Sequence, residues 1–262
     1  SAGVLRSNKE LMLFPVISGL ATLLVLATFV VPMFALRVFE NGVGVFGAIW
    51  GFLFYFCQYS VIIFFNCALV GAAMIRLDGG DPTLAAGFNI AKSRLGAILG
   101  YAAIAATVGV FLQALKNKEN NILVRLLGSG MGAAWTLATF MVVPVLVSNN
   151  IGPIDALKKS FGLLRQTWGE NAIGNVGIGL AFGLITFGMV IVGAVVSFAS
   201  FQISLWLGIV VALLSVIAVL LLSVYQAALS SIYAAALYRY ATDGQAPPAF
   251  RGAGLETAFQ AK

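Results

Sequence analysis

The sequence has few of the groups on which soluble folds and common enzyme sites depend. Its 262 residues include no histidine and two cysteines, and only 9% of them are charged. Without histidine, the common histidine-based metal, haem and acid–base sites are excluded. Soluble domains are about 25% charged, so a chain with so little charge cannot cover a surface in water. The composition excludes a soluble globular protein and also low-complexity disorder.

Long hydrophobic runs stand where charge is missing. Hydrophobic residues make up 61% of the chain, and the mean hydropathy is +1.01. A transmembrane helix needs about 20 mostly apolar residues. Six stretches without Asp, Glu, Lys or Arg meet this need, at 11–36, 45–75, 95–115, 126–148, 171–199 and 203–238. Because helices satisfy their own backbone in lipid, we predict one all-α domain over 1–262, a polytopic transmembrane helix bundle of about six spans with interfacial amphipathic helices.

The basic residues are divided unevenly between the two ends of these spans. Eleven lie at the N-terminus, at 76–94, at 153–170 and at the C-terminus, and four lie on the opposite side. Six spans put both termini on one side, and the positive-inside rule makes that side cytoplasmic. We therefore expect both termini in the cytoplasm, anionic lipid headgroups as partners and no nucleic-acid partner, because no soluble basic domain is present.

A short turn with a proline follows each even-numbered span, at 78–82, 149–153 and 243–248. The segment from Pro153 is an amphipathic helix whose apolar stripe is Ile154, Leu157, Phe161, Leu164 and Trp168. The segment from Pro82 is a weaker copy, with Asp81 as its expected N-cap. We predict three parallel repeats of a surface helix and a hairpin, at 1–75, 82–148 and 153–242, and a cytoplasmic tail at 243–262. The alternative is that loops of this length became interfacial helices independently.

Two sets of residues are candidate sites. Lipid headgroups are the expected ligand of the first set, which is Lys92, Arg94, Lys158, Lys159, Arg165 and Trp168. The second set lies inside the spans and consists of Gln58, Asn66, Asn175 and Gln226. These amides are costly to leave unpaired in lipid, so we expect them to face inward as interhelical hydrogen bonds or as a polar ligand site.

The remaining chemistry favours a protein that is not an enzyme. Asp78 and Asp81 form either a weak cation site or, more simply, a turn and a cap. Cys57 and Cys67 are about 15 Å apart along one helix and cannot form a disulfide. No catalytic motif, metal site or cofactor site is found. Glycine pairs in the third, fourth and fifth spans predict that these three form the tight centre, with an oligomer face or a gate as the alternative.

Several segments resemble known membrane proteins. They are 76–83, 93–100, 142–147, 152–160 and 165–169. Together they are similar to a family of uncharacterised bacterial six-span membrane proteins, over nearly the whole chain. The chain is also distantly similar to the membrane domain before some glycerophosphodiester phosphodiesterases, where a proline-started helix with a similar Ala, Lys and Ser pattern precedes a span. The first resemblance implies this fold and the bacterial inner membrane, and it implies no activity.

Two functions fit these observations. The first is a non-catalytic accessory or assembly subunit that contacts lipid or a larger membrane complex, with another membrane protein or a second copy as partner. The lack of catalytic groups, the aromatic-rich second span and the basic helices favour it. The alternative is a transporter of a small molecule or lipid, which predicts a cavity near the midplane lined by Gln58, Asn66, Asn175 or Gln226.

Overall fold

The computed structural model describes residues 5, 9–35, 45–117, 131–132, 134–166 and 168–243. It describes their side chains except at 9, 33–35, 45, 114–117, 166, 168–178 and 180. Every regular element in the described ranges is a helix, and none of these residues is in a strand. The predicted all-α fold is therefore confirmed.

The helices follow one another with short connections. A 3₁₀ helix at Lys9–Met12 leads directly into the first long helix. The α-helices are α1 (Leu13–Ala35), α2 (Val45–Leu77), α3 (Leu84–Ser93), α4 (Leu95–Asn117), α5 (Val142–Ser148), α6 (Pro153–Gln166), α7 (Trp168–Ile203) and α8 (Leu205–Asp243). A helical segment at 134–139 precedes α5.

Five of these helices are long and apolar enough to cross a membrane. Their apolar segments are Glu10–Pro32, Phe46–Leu77, Leu95–Gln113, Ala181–Ile203 and Leu205–Asp243. They coincide with the first, second, third, fifth and sixth predicted spans. The described part of the chain is thus a bundle of membrane-spanning helices, as the hydrophobic runs predict.

The fourth predicted span, 126–148, is described only in part, because residues 126–130 lie outside the described ranges. Its described part contains a shorter apolar helix, Ala134–Ser148, with a turn at Phe140 and Met141. Pro144 accounts for that turn. Proline has no backbone N–H, and its ring clashes with the carbonyl four residues earlier, which belongs to Phe140. Helix α5 consequently begins at Val142, with Pro144 in its first turn.

One hydrophobic core lies at one end of the helices, and we call this region the core end. It contains residues 63–77 of α2, 228–238 of α8, the first turns of α4, most of α5 and Phe14 of α1. Helix α2 is central, since it contacts α1, α3, α4, α5 and α8. Away from the core end, the same helices are half-buried or exposed.

The prediction that the third, fourth and fifth spans form the tight centre is wrong. A Cβ atom added at Gly96, Gly132, Gly179 or Gly183 would meet nothing within 4 Å. These glycines therefore bring no helices together among the described residues. The third and fifth spans make their close glycine contacts with other helices, which are Gly100 with Pro153 of α6, Gly109 with Tyr59 of α2 and Gly193 with Ser215 of α8.

Helix α3 is held against α2 and α1 by such a close approach. A Cβ at Gly87 would lie 2.6 Å from the Ala68 carbonyl oxygen and 2.6 Å from Cζ of Phe14. Thr83, and not Asp81 as expected, is the N-cap of α3, and its Oγ1 accepts a hydrogen bond from the Ala86 amide at 3.1 Å. Gly79 makes the preceding turn with a φ of +89°, which favours glycine.

Helices α7 and α8 form a hairpin with one non-helical residue, Ser204, between them. The Phe201 ring lies on Gly208 and leaves no room for a Cβ there. Among residues 181–221, the buried ones are Ser197, Ser200 and Gly208. This outer part of the hairpin therefore buries no large apolar side chain.

Candidate functional site at the core end

Polar side chains link the turns at the core end. Arg239, near the end of α8, is ion-paired with Asp78 in the turn after α2, and lies 3.8 Å from Asp243. Asn149, directly after α5, donates from Nδ2 to the Tyr238 hydroxyl of α8 at 2.9 Å. The ends of α2, α5 and α8, which all precede predicted proline turns, are thus joined to one another.

Side chains from α6 and from the α3–α4 junction extend this network. Lys159 of α6 donates from Nζ to Oδ1 of Asn149 at 2.7 Å. Arg94 donates to Oδ1 of Asn150. Both contacts tie a basic side chain to a neutral amide in the turn between α5 and α6. At these two points the network therefore carries positive charge that no carboxylate of the described residues neutralises.

The two carboxylates after α2 are engaged by arginines. Oδ1 of Asp81 accepts a hydrogen bond from the Arg76 guanidinium at 2.8 Å, and Asp78 is paired with Arg239. Three or more Cys, Asp or Glu residues do not come together as metal ligands anywhere in the described ranges. This geometry fits the turn interpretation of Asp78 and Asp81, because a cation would have to displace both guanidinium groups.

Helix α6 has an inner face of small residues. Ala156 and Ser160 are fully buried, and Leu163 is nearly so. Oγ of Ser160 donates to the Ala138 carbonyl at 2.7 Å. At the start of α6, Pro153 fits against Gly100 of α4, where a Cβ would lie 2.8 Å from the proline ring. The helix is thus fixed in rotation about its own axis.

The predicted apolar stripe of α6 lies away from that inner face. The exposed fractions of Ile154 and Phe161 are 59% and 58%, and Leu157 and Leu164 are half-buried. Lys158 and Arg165 are exposed. Residues four or seven positions apart occupy nearly the same side of a helix. Ile154, Lys158, Phe161 and Arg165 are spaced in this way and therefore share one side.

The headgroup set consequently divides into two groups. Lys159 and Arg94 are bonded to amides of the core-end network. Lys158 is 4.0 Å from the exposed Asp155, and no described residue pairs with Lys92 or Arg165. The backbone of Trp168 begins α7, and its side chain lies outside the described residues.

The four intramembrane amides do not form a hydrogen-bonded cluster in the described part of the chain. Gln58 and Asn66 lie on α2 and Gln226 on α8, all half-buried. None of these three bonds to another described residue, and the buried Oε1 of Gln58 has no partner. The side chain of Asn175 is outside the described residues. Their role as a polar site stays a prediction.

Two open grooves lie along the α7–α8 hairpin, on either side of its crossing point. The helices cross at Gly193, where a Cβ would lie 2.9 Å from Cβ of Ser215. The linings of both grooves include Met189, Gly193 and Ser215, and are almost entirely apolar. None of Gln58, Asn66 and Gln226 lines either groove.

The fold and the charged end define the class of this molecule, an integral membrane protein made of helices. A family model described as a family of unknown function, DUF6159, matches residues 45–248. Because this match covers most of the chain, the protein belongs to that family. No curated protein and no solved structure matches the chain. The resemblance to an uncharacterised family is thus confirmed, whereas none of these comparisons supports the resemblance to phosphodiesterase membrane domains.

Sequence reasoning missed Asn149, Tyr238 and Arg239, which bind the turns together. Each stands at the end of a predicted even-numbered span, beside a proline turn. That position was the available signal. A polar residue that directly follows 20 or more apolar ones is forced to the same depth as its counterparts on neighbouring spans.

Proposed function

We propose that this protein is a non-catalytic subunit that binds another membrane protein through the outer part of the α7–α8 hairpin, residues 181–221. It resides in the bacterial inner membrane with both termini in the cytoplasm. The observation that carries the proposal is the burial pattern. This part of the hairpin exposes most of its large apolar side chains and buries none of them fully, while the opposite ends of α2 and α8 lie in the core.

Small residues make the hairpin suitable for close helix packing. Gly179, Gly183 and Gly188 have open space beside them, so a partner helix can approach the backbone of α7 closely. In lipid, helices associate through such close packing, because the hydrophobic effect does not drive them together. The grooves beside Gly193 offer the same kind of surface on both sides of the helix pair.

The charge distribution supports the orientation. Arg76, Lys92, Arg94, Lys158 and Lys159 all lie at or near the turns of the core end. Cationic residues accumulate on the cytoplasmic side of membrane proteins, so this distribution favours a cytoplasmic core end. The turn at Ser204 then faces the other side of the membrane.

Site-specific photo-crosslinking in native membranes tests the proposal. A photo-reactive amino acid replaces Leu184, Val192 or Leu220 on the hairpin, and Leu24 on α1 in a matched control, since all four side chains are highly exposed. We expect one discrete protein adduct from the hairpin positions and none from Leu24. The mass of the adduct distinguishes a second copy from a different protein.

Two results would contradict the proposal. One is crosslinking to lipid alone at all four positions, or the same protein adducts from Leu24 as from the hairpin. The other is transport of a small molecule or lipid by vesicles that contain the purified protein and no other protein. That result would support the transporter alternative instead.

A further inference from the structure

We infer that one side of α6 is a binding site for anionic phospholipids. This outer face consists of Ile154, Lys158, Phe161 and Arg165. The inference is independent of any partner of the α7–α8 hairpin, because α6 lies at the opposite, core end of the molecule.

The inner face fixes which side of α6 is turned outward. Ser160 is fully buried, and its hydroxyl is bonded to the carbonyl of Ala138. Ala138 lies in the last turn of the helical segment before α5. The carbonyl groups of a last turn accept no hydrogen bond from their own helix. Ala156 and Leu163 flank this bond on the same side of α6. Rotation of α6 would break the bond and expose all three residues.

The outer face combines apolar and basic side chains at matched spacing. Ile154 and Phe161 are seven residues apart, and so are Lys158 and Arg165, which places members of each pair about 10 Å apart along the axis. Such a face is suited to the boundary between headgroups and acyl chains, where apolar side chains insert and basic ones reach phosphates. Helix α7, a spanning helix, begins at Trp168, and α6 ends at Gln166. The outer face of α6 therefore lies near the start of a spanning helix.

The charge balance of the face selects an anionic ligand. Among the described side chains, the carboxylate near this face is Asp155, 4.0 Å from Lys158, with both side chains mostly exposed. An exposed pair at this distance contributes little, so Lys158 stays available to a phosphate. Arg165 pairs with no described residue. By contrast, Lys159 is held by Asn149 on another side of the helix.

Native mass spectrometry of the purified full chain tests the site. The measured quantities are the apparent dissociation constants for phosphatidylglycerol and for phosphatidylcholine. Each basic residue near an anionic membrane surface contributes about 1 kcal/mol, which is about a fivefold change in affinity. We therefore expect Lys158→Gln and Arg165→Gln each to weaken phosphatidylglycerol binding about fivefold, with phosphatidylcholine binding unchanged.

Two matched variants make the test specific to this face. Lys159→Gln removes the same charge from the same helix and leaves phosphatidylglycerol binding nearly unchanged. Asp155→Asn removes the competing carboxylate and tightens phosphatidylglycerol binding. Asp155→Asn should change the affinity for phosphatidylglycerol in the opposite direction. The test therefore remains decisive if Lys158→Gln or Arg165→Gln fails to fold.

The inference is overturned if Lys159→Gln weakens binding as much as Lys158→Gln, because general charge then explains the effect. It is also overturned if none of these variants changes the preference for phosphatidylglycerol. Equal losses for both lipids in Lys158→Gln would also overturn it, because the charge of this face would then not select the anionic lipid.

Discussion

Gly87 sits where α3 meets α2 and α1, and its missing side chain decides whether α3 can dock. The Cβ of alanine would stand 2.6 Å from a backbone oxygen of α2, which cannot move aside like a flexible side chain. We expect Gly87→Ala to destabilise the protein by about 1–3 kcal/mol, as overpacking does. The measurement is the thermal unfolding midpoint of the reconstituted protein.

Gly96 provides the control for this prediction. It lies in the first turn of α4, and a Cβ there would meet nothing within 4 Å. Gly96→Ala should leave the unfolding midpoint unchanged or raise it slightly, because alanine lowers the entropy of the unfolded chain. Equal midpoints for the two variants would show that α3 is not docked as described.

Single residues were predictable where local rules apply and not where distant partners decide. Pro153 begins α6 and Asp155 lies in its first turn, as the sequence predicts. Arg239 and Asp78 are 161 residues apart, and no local pattern pairs them. Thr83 is the N-cap of α3 because it directly precedes Leu84, and Asp81 is bonded to Arg76.

At the scale of elements, Pro144 divides the apolar segment 134–148 into two helices. Pro144→Ala restores an N–H and removes the ring clash, so we expect helix to continue through Phe140 and Met141. Hydrogen–deuterium exchange of the amides at 140–142 should slow in the variant. Faster or unchanged exchange there would mean that another constraint causes the turn.

Pro32 offers a matched substitution. It lies inside α1, and the helix continues past it to Ala35. Pro32→Ala should therefore leave exchange at 140–142 unchanged. The same chemical change thus alters a helix boundary in one place and none in the other.

The apolar runs predicted which segments form spanning helices, but they did not predict which helices pack against one another. Length and hydropathy fix a membrane-crossing helix because lipid acts on every residue of it. Which helix becomes central depends on the shape of particular side chains, and glycine spacing was a poor guide to it. Ala68, Ala72, Ala73 and Gly71 place small residues along α2, which allows its neighbours to approach.

At the scale of the whole molecule, the arrangement predicts which residues face each side of the membrane. After Cys57 and Cys67 are replaced, a new cysteine at Asn150 should react with an impermeant reagent only in inside-out vesicles. A cysteine at Ser204 should react only from outside intact cells. Reaction of both from the same side would contradict the hairpin crossing and the orientation.

The order of the elements has the form that the three predicted repeats require. A 3₁₀ helix precedes α1 and α2, α3 precedes α4 and the 134–148 segment, and α6 precedes α7 and α8. The repeats stay a prediction, with independent origin of the short helices as the alternative. The ends of α2, α5 and α8 nevertheless meet at the core end, which the proline spacing alone did not predict.

The confinement of the core to one end has a consequence for how the bundle responds to its solvent. Buried side chains hold the core end together, whereas beyond it the described helices meet through scattered contacts, such as Phe29 with Trp50 and Gly193 with Ser215. Helix α8 is about 58 Å long, nearly twice the thickness of a hydrocarbon layer. We therefore expect the outer ends of the helices to separate in a thinner bilayer or a micelle before the core end does.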